Sequence, residues 1–380
     1  MGRTGIYACG ESVSRRNSLE SVALFSLKQE APASIGGSTF TNDYNHGAHA
    51  SILQALAQTN DTQYGGYGVD DWCDKAEKLI LELSRCPQGK VYFFPGATQA
   101  NFVTISALLG SCDSVICADT GHINCHECAS IENAGHKIVA LPHHDGKITA
   151  EQIEGEVQAY YNSGEAEYLT RPSLVYVSFT TEYGTLYTKA ELTAISAVCR
   201  KYHMYLFVDG ARMGYGLGAA ENDLTLADFG RLADAFYIGG TKCGAFFGEA
   251  VVLTQPDMGR RFKAHMKQFG AVLAKGWILG LQFYTLLHDG TYFAITKRAD
   301  EYAMQIRDAF RQKGIEELVV SPTNQQFVIL SQEQARKLGQ KYVFEAEGPV
   351  DDDHVCVRFC TSWSTKQEGV DQLVADILNL

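Results

Sequence analysis

Proline is scarce in this chain, eight in 380 residues, and no block of Lys or Arg stands out against a net charge of −12. An acidic surface of this kind repels phosphate backbones and anionic lipid, so nucleic acid and membrane surfaces are not expected as partners. No apolar stretch approaches the ~20 residues needed to span a bilayer. The first segment, Met1 to Thr39, is Ser-rich and mixes Arg3, Arg15 and Arg16 with Glu11, Glu20 and Glu30. It has no apolar signal-peptide core, and Ile6 breaks the myristoylation pattern that Gly2 suggests. A transit peptide stays open, and the cytoplasm is the expected location. No internal repeat or low-complexity tract is visible. The eleven cysteines lack the regular framework of a small secreted domain. Free thiols in a reducing compartment account for them better than disulfides.

What is present is ordinary globular material, 46% hydrophobic and 20% charged, long enough for one large domain and a smaller one. From Val91 onward, short β-rich runs alternate with helical patterns, the signature of a mostly parallel sheet covered on both faces. Expected strands are Val91–Phe94, Ser114–Ala118, Lys137–Leu141, Ser173–Ser178, Met204–Val208, Ala235–Ile238 and Glu249–Leu253. A helix is expected over Thr98–Leu109, and capping boxes at Thr149/Gln152 and Thr188/Glu191 start two more. A long helical stretch, Arg260 to His288, then leads to strands at Phe327–Leu330, Tyr342–Glu345 and Val355–Phe359 and a last amphipathic helix after Ser364. The expected division is an N-terminal extension over 1–40, a large domain over 41–275 and a small C-terminal α/β domain over 276–380.

Reactive side chains fall at strand ends, where ligands gather in an open α/β sheet. Asp209 directly follows the apolar run Tyr205–Val208, and Lys242 follows Phe236–Thr241. A charge flush against a buried strand is costly unless paired or used. Each has a bland reading, an Asp capping the next helix and a Lys snorkelling from a loop. Together they specify a partner for a pyridinium nitrogen and an amine for an aldehyde. Pro95–Asn101 lies between strand and helix, where small residues let backbone N–H groups and the Thr98 hydroxyl approach an anion. His122, Cys125, His126 and Cys128 invite a zinc reading, but no second ligand pair with finger-like spacing follows, so no metal is expected. An imidazole after the strand Ser114–Ala118 can instead stack on an aromatic cofactor, and for His126 a core role is the bland alternative. Arg358, within a C-terminal strand, has the fork that suits a carboxylate, against the commoner fate of a surface ion pair.

The order of segments resembles the low-specificity threonine aldolases and their β-eliminating lyase relatives, from about Thr41 to the C-terminus. The carrying segments are Thr41–Tyr44, Gln63–Gly68, Phe94–Asn101, Gly121-His122-Ile, Val208–Arg212, Gly240-Thr-Lys242 and Val357–Thr361. The resemblance implies a fold-type I enzyme, with a mostly parallel seven-stranded sheet, that uses pyridoxal 5'-phosphate on a small amino-acid substrate and works as a homodimer or homotetramer. It implies that Lys242 is the Schiff-base lysine, that Asp209 pairs with the pyridine nitrogen and that His122 stacks on the ring. Ala97 and Thr98 then occupy the phosphate turn, Arg212 and Arg358 hold the substrate carboxylate, and Asn42 stands where a carboxylate-binding serine is usual. Lys267 matches a basic residue that reaches the cofactor phosphate from a neighbouring subunit, and His126 is the candidate proton acceptor.

Departures are specific. The phosphate turn reads Gly-Ala-Thr in place of Ser-Gly-Thr. Phe179-Thr-Thr-Glu-Tyr183 replaces a Glu-Asn-Thr-His stretch, and Ala274 stands where an arginine is expected after Lys267. They lie around substrate and subunit contacts and bear on specificity more than on cofactor use. The expected activity is cleavage of a β-hydroxy-α-amino acid to glycine and an aldehyde. The alternatives are β-elimination or transamination with the same cofactor, and a noncatalytic metal- or ligand-binding protein.

Overall fold

The computed structural model describes residues 39–258 and 261–380. Most of the expected N-terminal extension lies outside the described residues. Seven strands form one sheet: β1 (Lys90–Phe94), β2 (Asp113–Ala118), β3 (Lys137–Leu141), β4 (Arg171–Ser178), β5 (Tyr205–Asp209), β6 (Ala235–Gly239) and β7 (Glu249–Leu253). Their spatial order is β1-β7-β6-β5-β4-β2-β3. β7 pairs antiparallel with β1 and β6, and the other pairings are parallel. The central strands read as continuous apolar runs because both faces are covered. One face packs Phe207, Tyr176, Tyr237 and Val251 against Ala100, Val103 and Ile105 of the helix Ala97–Leu108. The other packs Val177, Val208, Phe236 and Val252 against Ile80, Ile195 and Phe283.

The expected strands of this sheet and both capping boxes are present, with end positions shifted by a residue or two. The single long helix expected over 260–288 is instead two helices, Phe262–Gln268 and Trp277–Leu287. Gly270, at φ +74°, turns the chain between them in a conformation that glycine adopts without penalty.

A second sheet, order β8-β10-β9, is antiparallel and formed by β8 (Gln325–Ser331), β9 (Glu345–Pro349) and β10 (His354–Cys360). The strand expected at Tyr342–Glu345 is displaced, since pairing with β10 begins only at Glu345. Tyr342 goes into the small core against Phe40, and Val343 bridges to Thr39. The edge strand β9 ends in Gly348-Pro349, residues a central strand excludes and an edge tolerates. The helix Thr291–Gln312 joins the two cores: Tyr292, Ile295 and Ala299 pack in the large one, Ile306, Ala309 and Phe310 in the small one. No helix among the described residues is long and apolar enough to cross a membrane.

Candidate active site

The carboxyl ends of β2, β4, β5 and β6, with the opposite-running start of β7, bring the reactive side chains to one edge of the sheet. Asp209 ends β5, the middle strand, and is buried. Tyr176 from β4 and Tyr237 from β6 both donate their hydroxyls to its carboxylate. Asn101 Nδ2, from the helix after β1, reaches it at 3.1 Å, and the Ala211 N–H at 2.9 Å. Four donors, from two strands, a helix and the turn after β5, thus fix one carboxylate. Burial and the negative carboxylate push both phenols well above their ordinary range, so they stay hydroxyl donors.

Lys242 follows β6 and is half-buried. Among the described residues, no carboxylate pairs with its amine. Burial pushes that amine below its ordinary value, and the Arg212 charge adds to this against the pull of Asp43 and Asp209. A lysine whose amine is unpaired and loses its proton more readily is a nucleophile for a carbonyl.

His122 opens a short helix, His122–Cys125, after β2. Its Nδ1 is 2.7 Å from Glu127 Oε1, an oxygen that also accepts from Asn101 Nδ2 at 2.7 Å. Asp209, Asn101, Glu127 and His122 therefore form one hydrogen-bonded chain. The His122 N–H donates to Glu182 Oε1 at 2.9 Å, and the Ser178 hydroxyl donates to the same oxygen at 2.7 Å. Burial pulls the His122 imidazole down, but its bond to Glu127 and the Asp209 charge outweigh this and hold it above its ordinary value. The His126 ring lies 5.5 Å away, centroid to centroid. Burial and then the charges of His122, Arg358 and Lys242 shift it the other way, below its ordinary value. Two neighbouring imidazoles are thus shifted in opposite directions by their surroundings.

Arg212, also expected to hold a substrate carboxylate, pairs with Asp43, with Nε at 2.8 Å and Nη2 at 3.1 Å from the two carboxylate oxygens. Asp43 also accepts from Asn324 Nδ2 at 2.9 Å. Burial would raise the Asp43 carboxyl, but Arg212 outweighs it and holds the group below its ordinary value. Arg358 keeps a freer fork: Nη2 donates to the Thr41 carbonyl at 3.3 Å, Nη1 is 3.4 Å from Glu347, and Nε has no hydrogen-bond partner among the described residues. Asn42 lies between Thr41 and Asp43, so it stands beside both arginine contacts; its Oδ1 accepts from the Tyr44 N–H.

Ala97 and Thr98 begin the helix after β1, whose N-cap, Gly96, supplies no side-chain hydrogen bond to the first turn. A Cβ at Gly96 would meet nothing within 4 Å, so the space before these N–H groups is open. Lys267 lies on the helix Phe262–Gln268 with its Nζ 5.0 Å from the Tyr67 ring centre. That helix abuts the turn through Gln99, whose Nε2 donates to the Phe269 carbonyl at 2.8 Å. Among the described residues no three His, Cys, Asp or Glu side chains come together as a metal-ion site. Cys125 turns to the Asp119 carbonyl.

Several participants carry no sequence signal of their own. Asp43 and Glu127 lie inside segments singled out for other residues. Tyr176, Tyr237 and Glu182 gain meaning only once β4 and β6 flank β5. Glu249, at the start of β7, is buried against the Thr241 hydroxyl at 2.8 Å, and burial raises its carboxyl to about 8.

Known proteins share both this sequence pattern and this fold. The model of the beta-eliminating lyase family matches residues 46–333. A low specificity L-threonine aldolase of Pseudomonas aeruginosa is 29% identical over 348 residues, which is 89% of this chain and 96% of that protein. A solved threonine aldolase structure from Leishmania major is 40% identical, with a TM-score of 0.87 over 90% of this chain and 98% of that one. Aspartate aminotransferase from Thermus thermophilus, 12% identical with a TM-score of 0.66 over 90% of this chain and 91% of that one, shares the fold alone. The chain belongs to the beta-eliminating lyase family, built on the fold-type I architecture of pyridoxal-phosphate-dependent enzymes.

Proposed function

We propose that the protein is a pyridoxal-phosphate-dependent aldolase that cleaves the Cα–Cβ bond of a β-hydroxy-α-amino acid, of the threonine or allo-threonine type, to glycine and an aldehyde. The observation that carries this reading is the convergence of an amine without a carboxylate partner among the described residues with a carboxylate fixed by four donors and two imidazoles shifted in opposite directions. The residues present fit the cofactor. Lys242 offers an amine to its aldehyde, Asp209 a carboxylate to its ring nitrogen and His122 a flat face. The uncapped turn at Ala97 and Thr98 offers N–H donors and open space to its phosphate. Lys267 would reach that phosphate from a neighbouring subunit. Bound there, the cofactor supplies the electron sink for the pair released at Cα.

The chain's own residues do the rest. Arg358 takes the substrate carboxylate beside Asn42, while Arg212, engaged with Asp43, sets the wall of that subsite. His126, neutral near pH 7, accepts the β-hydroxyl proton as the Cα–Cβ bond breaks and the aldehyde leaves. Glu127 holds the His122 ring through Nδ1. Eleven cysteines scattered without the framework of a small secreted domain support a cytoplasmic setting, and a homodimer or homotetramer is the expected assembly. The test is incubation of holoenzyme with L-threonine and, separately, allo-threonine. Acetaldehyde and glycine in equal amounts are expected. Ammonia with a keto acid would replace this reading by elimination, and an amino-group exchange with an added keto acid by transamination.

A further inference from the structure

The ladder between β9 and β10 is irregular at one point. Cys356 lies opposite Gly348, but Val357 lies opposite Ala346, so Glu347 is the extra residue of a β-bulge. Gly348 beside it has φ +143°. Such bulges redirect a side chain that a regular ladder would hold elsewhere. Here the redirected carboxylate faces Arg358: Glu347 Oε1 is 3.4 Å from Nη1, with both side chains largely covered, at 26% and 19% exposure. Glu345, directly across the ladder from Arg358, is exposed. The 3.4 Å contact is longer than the roughly 2.7–2.9 Å of a charge-assisted hydrogen bond. An incoming α-carboxylate that binds bidentately therefore has the stronger claim on the same guanidinium. The neighbouring Arg212, by contrast, already has Nε and Nη2 paired with the two oxygens of Asp43 at 2.8 and 3.1 Å.

We propose that Glu347 is the resident counter-carboxylate of Arg358, which the carboxylate of the incoming amino acid displaces, so that this bulge sets how tightly substrate is held. The proposal rests on Arg358 being the carboxylate anchor. Glu347 is a positioning residue in this scheme. It balances the anchor's charge while no substrate is bound, and it weakens ground-state binding without touching the reacting atoms.

The experiment uses holoenzyme of the wild type and of Glu347→Gln, Glu347→Asp and Arg358→Lys. It reads KM and kcat for threonine cleavage and, independently of turnover, the Kd of glycine by calorimetry. Removal of a loosely held, partly covered ion pair predicts that Glu347→Gln lowers KM and the glycine Kd by about 3- to 10-fold, with kcat within about twofold. Glu347→Asp, with the charge kept on a shorter stem, falls between. An unchanged or raised Kd in Glu347→Gln, while Arg358→Lys weakens glycine, overturns the proposal and leaves Glu347 a prop for the arginine. A glycine Kd unmoved by Arg358→Lys overturns the anchor assignment itself.

Discussion

At the scale of single residues, the difference between His122 and His126 follows from their neighbours, since both begin as ordinary imidazoles in one short segment. His122 gains a carboxylate partner at 2.7 Å, whereas His126 faces burial and three cationic groups. A base works only when unprotonated, so a depressed value keeps His126 competent further into acid than a free histidine. Below that depressed value it gains a proton and the rate falls. His126→Phe is expected to lower kcat for threonine cleavage by about 10²- to 10⁴-fold, the usual contribution of a positioned base. It should also abolish the acid limb of the kcat profile. An unchanged rate would move the proton to Glu182 or to water. Lys242 and Asp209 are legible as candidates because each is a charge abutting a buried strand, an arrangement that demands an explanation. Glu127, Asp43 and Glu347 are not, because their meaning depends on contacts with Asn101 and Arg212, distant along the chain, and on a bulge, none of which leaves a local pattern.

At the scale of elements, the seven-stranded sheet is readable since its central strands are short apolar runs bounded by turn-forming residues. Fully buried parallel strands leave that trace. The small domain is harder. β9, Glu-Ala-Glu-Gly-Pro, has no apolar alternation, because it is an edge strand whose pairing comes from β10 and whose bulge carries a side chain toward the site. The segment just before the sheet also takes a place that its sequence does not announce. Phe40 is fully buried among Tyr342, Phe359 and the small-domain helices, and its N–H and carbonyl bond to Val343 and Cys360. Two residues later the same strip delivers Asn42 and Asp43 to the site. We therefore propose that the division between domains falls within the helix Thr291–Gln312, with residues 39–43 serving the small core. Phe40→Ala should cost about 3–5 kcal/mol, the range for a buried aromatic truncation. Calorimetric unfolding is expected to show the small-domain transition lowered and the glycine Kd weakened. A transition at the wild-type temperature would mean that Phe40 is dispensable to that core.

At the scale of the molecule, buried carboxyls set opposing limits on stability with pH. Asp43 is held below its ordinary value of 3.8 by Arg212. Its contribution is fully present above that value and is lost as pH falls through the lowered one. Glu249 has the reverse sign. Burial at the start of β7 raises it from 4.5 to about 8, so the native state holds a proton that the unfolded chain has released. Between those values the native protein binds more protons than the unfolded chain, and stability declines as pH rises. A tenfold difference in proton affinity between the two states is worth about 1.4 kcal/mol, so the cost by pH 8 is on the order of 4–5 kcal/mol at most. Glu249→Gln keeps the shape and an acceptor for the Thr241 hydroxyl but has no proton to lose. The apo-variant should therefore match the wild type near pH 5 and gain on it steadily toward pH 8, read as a growing difference in unfolding temperature at fixed salt. A constant difference across that range would mean that Glu249 titrates alike in folded and unfolded chains, and that Thr241, Gly240 and Lys242 already compensate its burial.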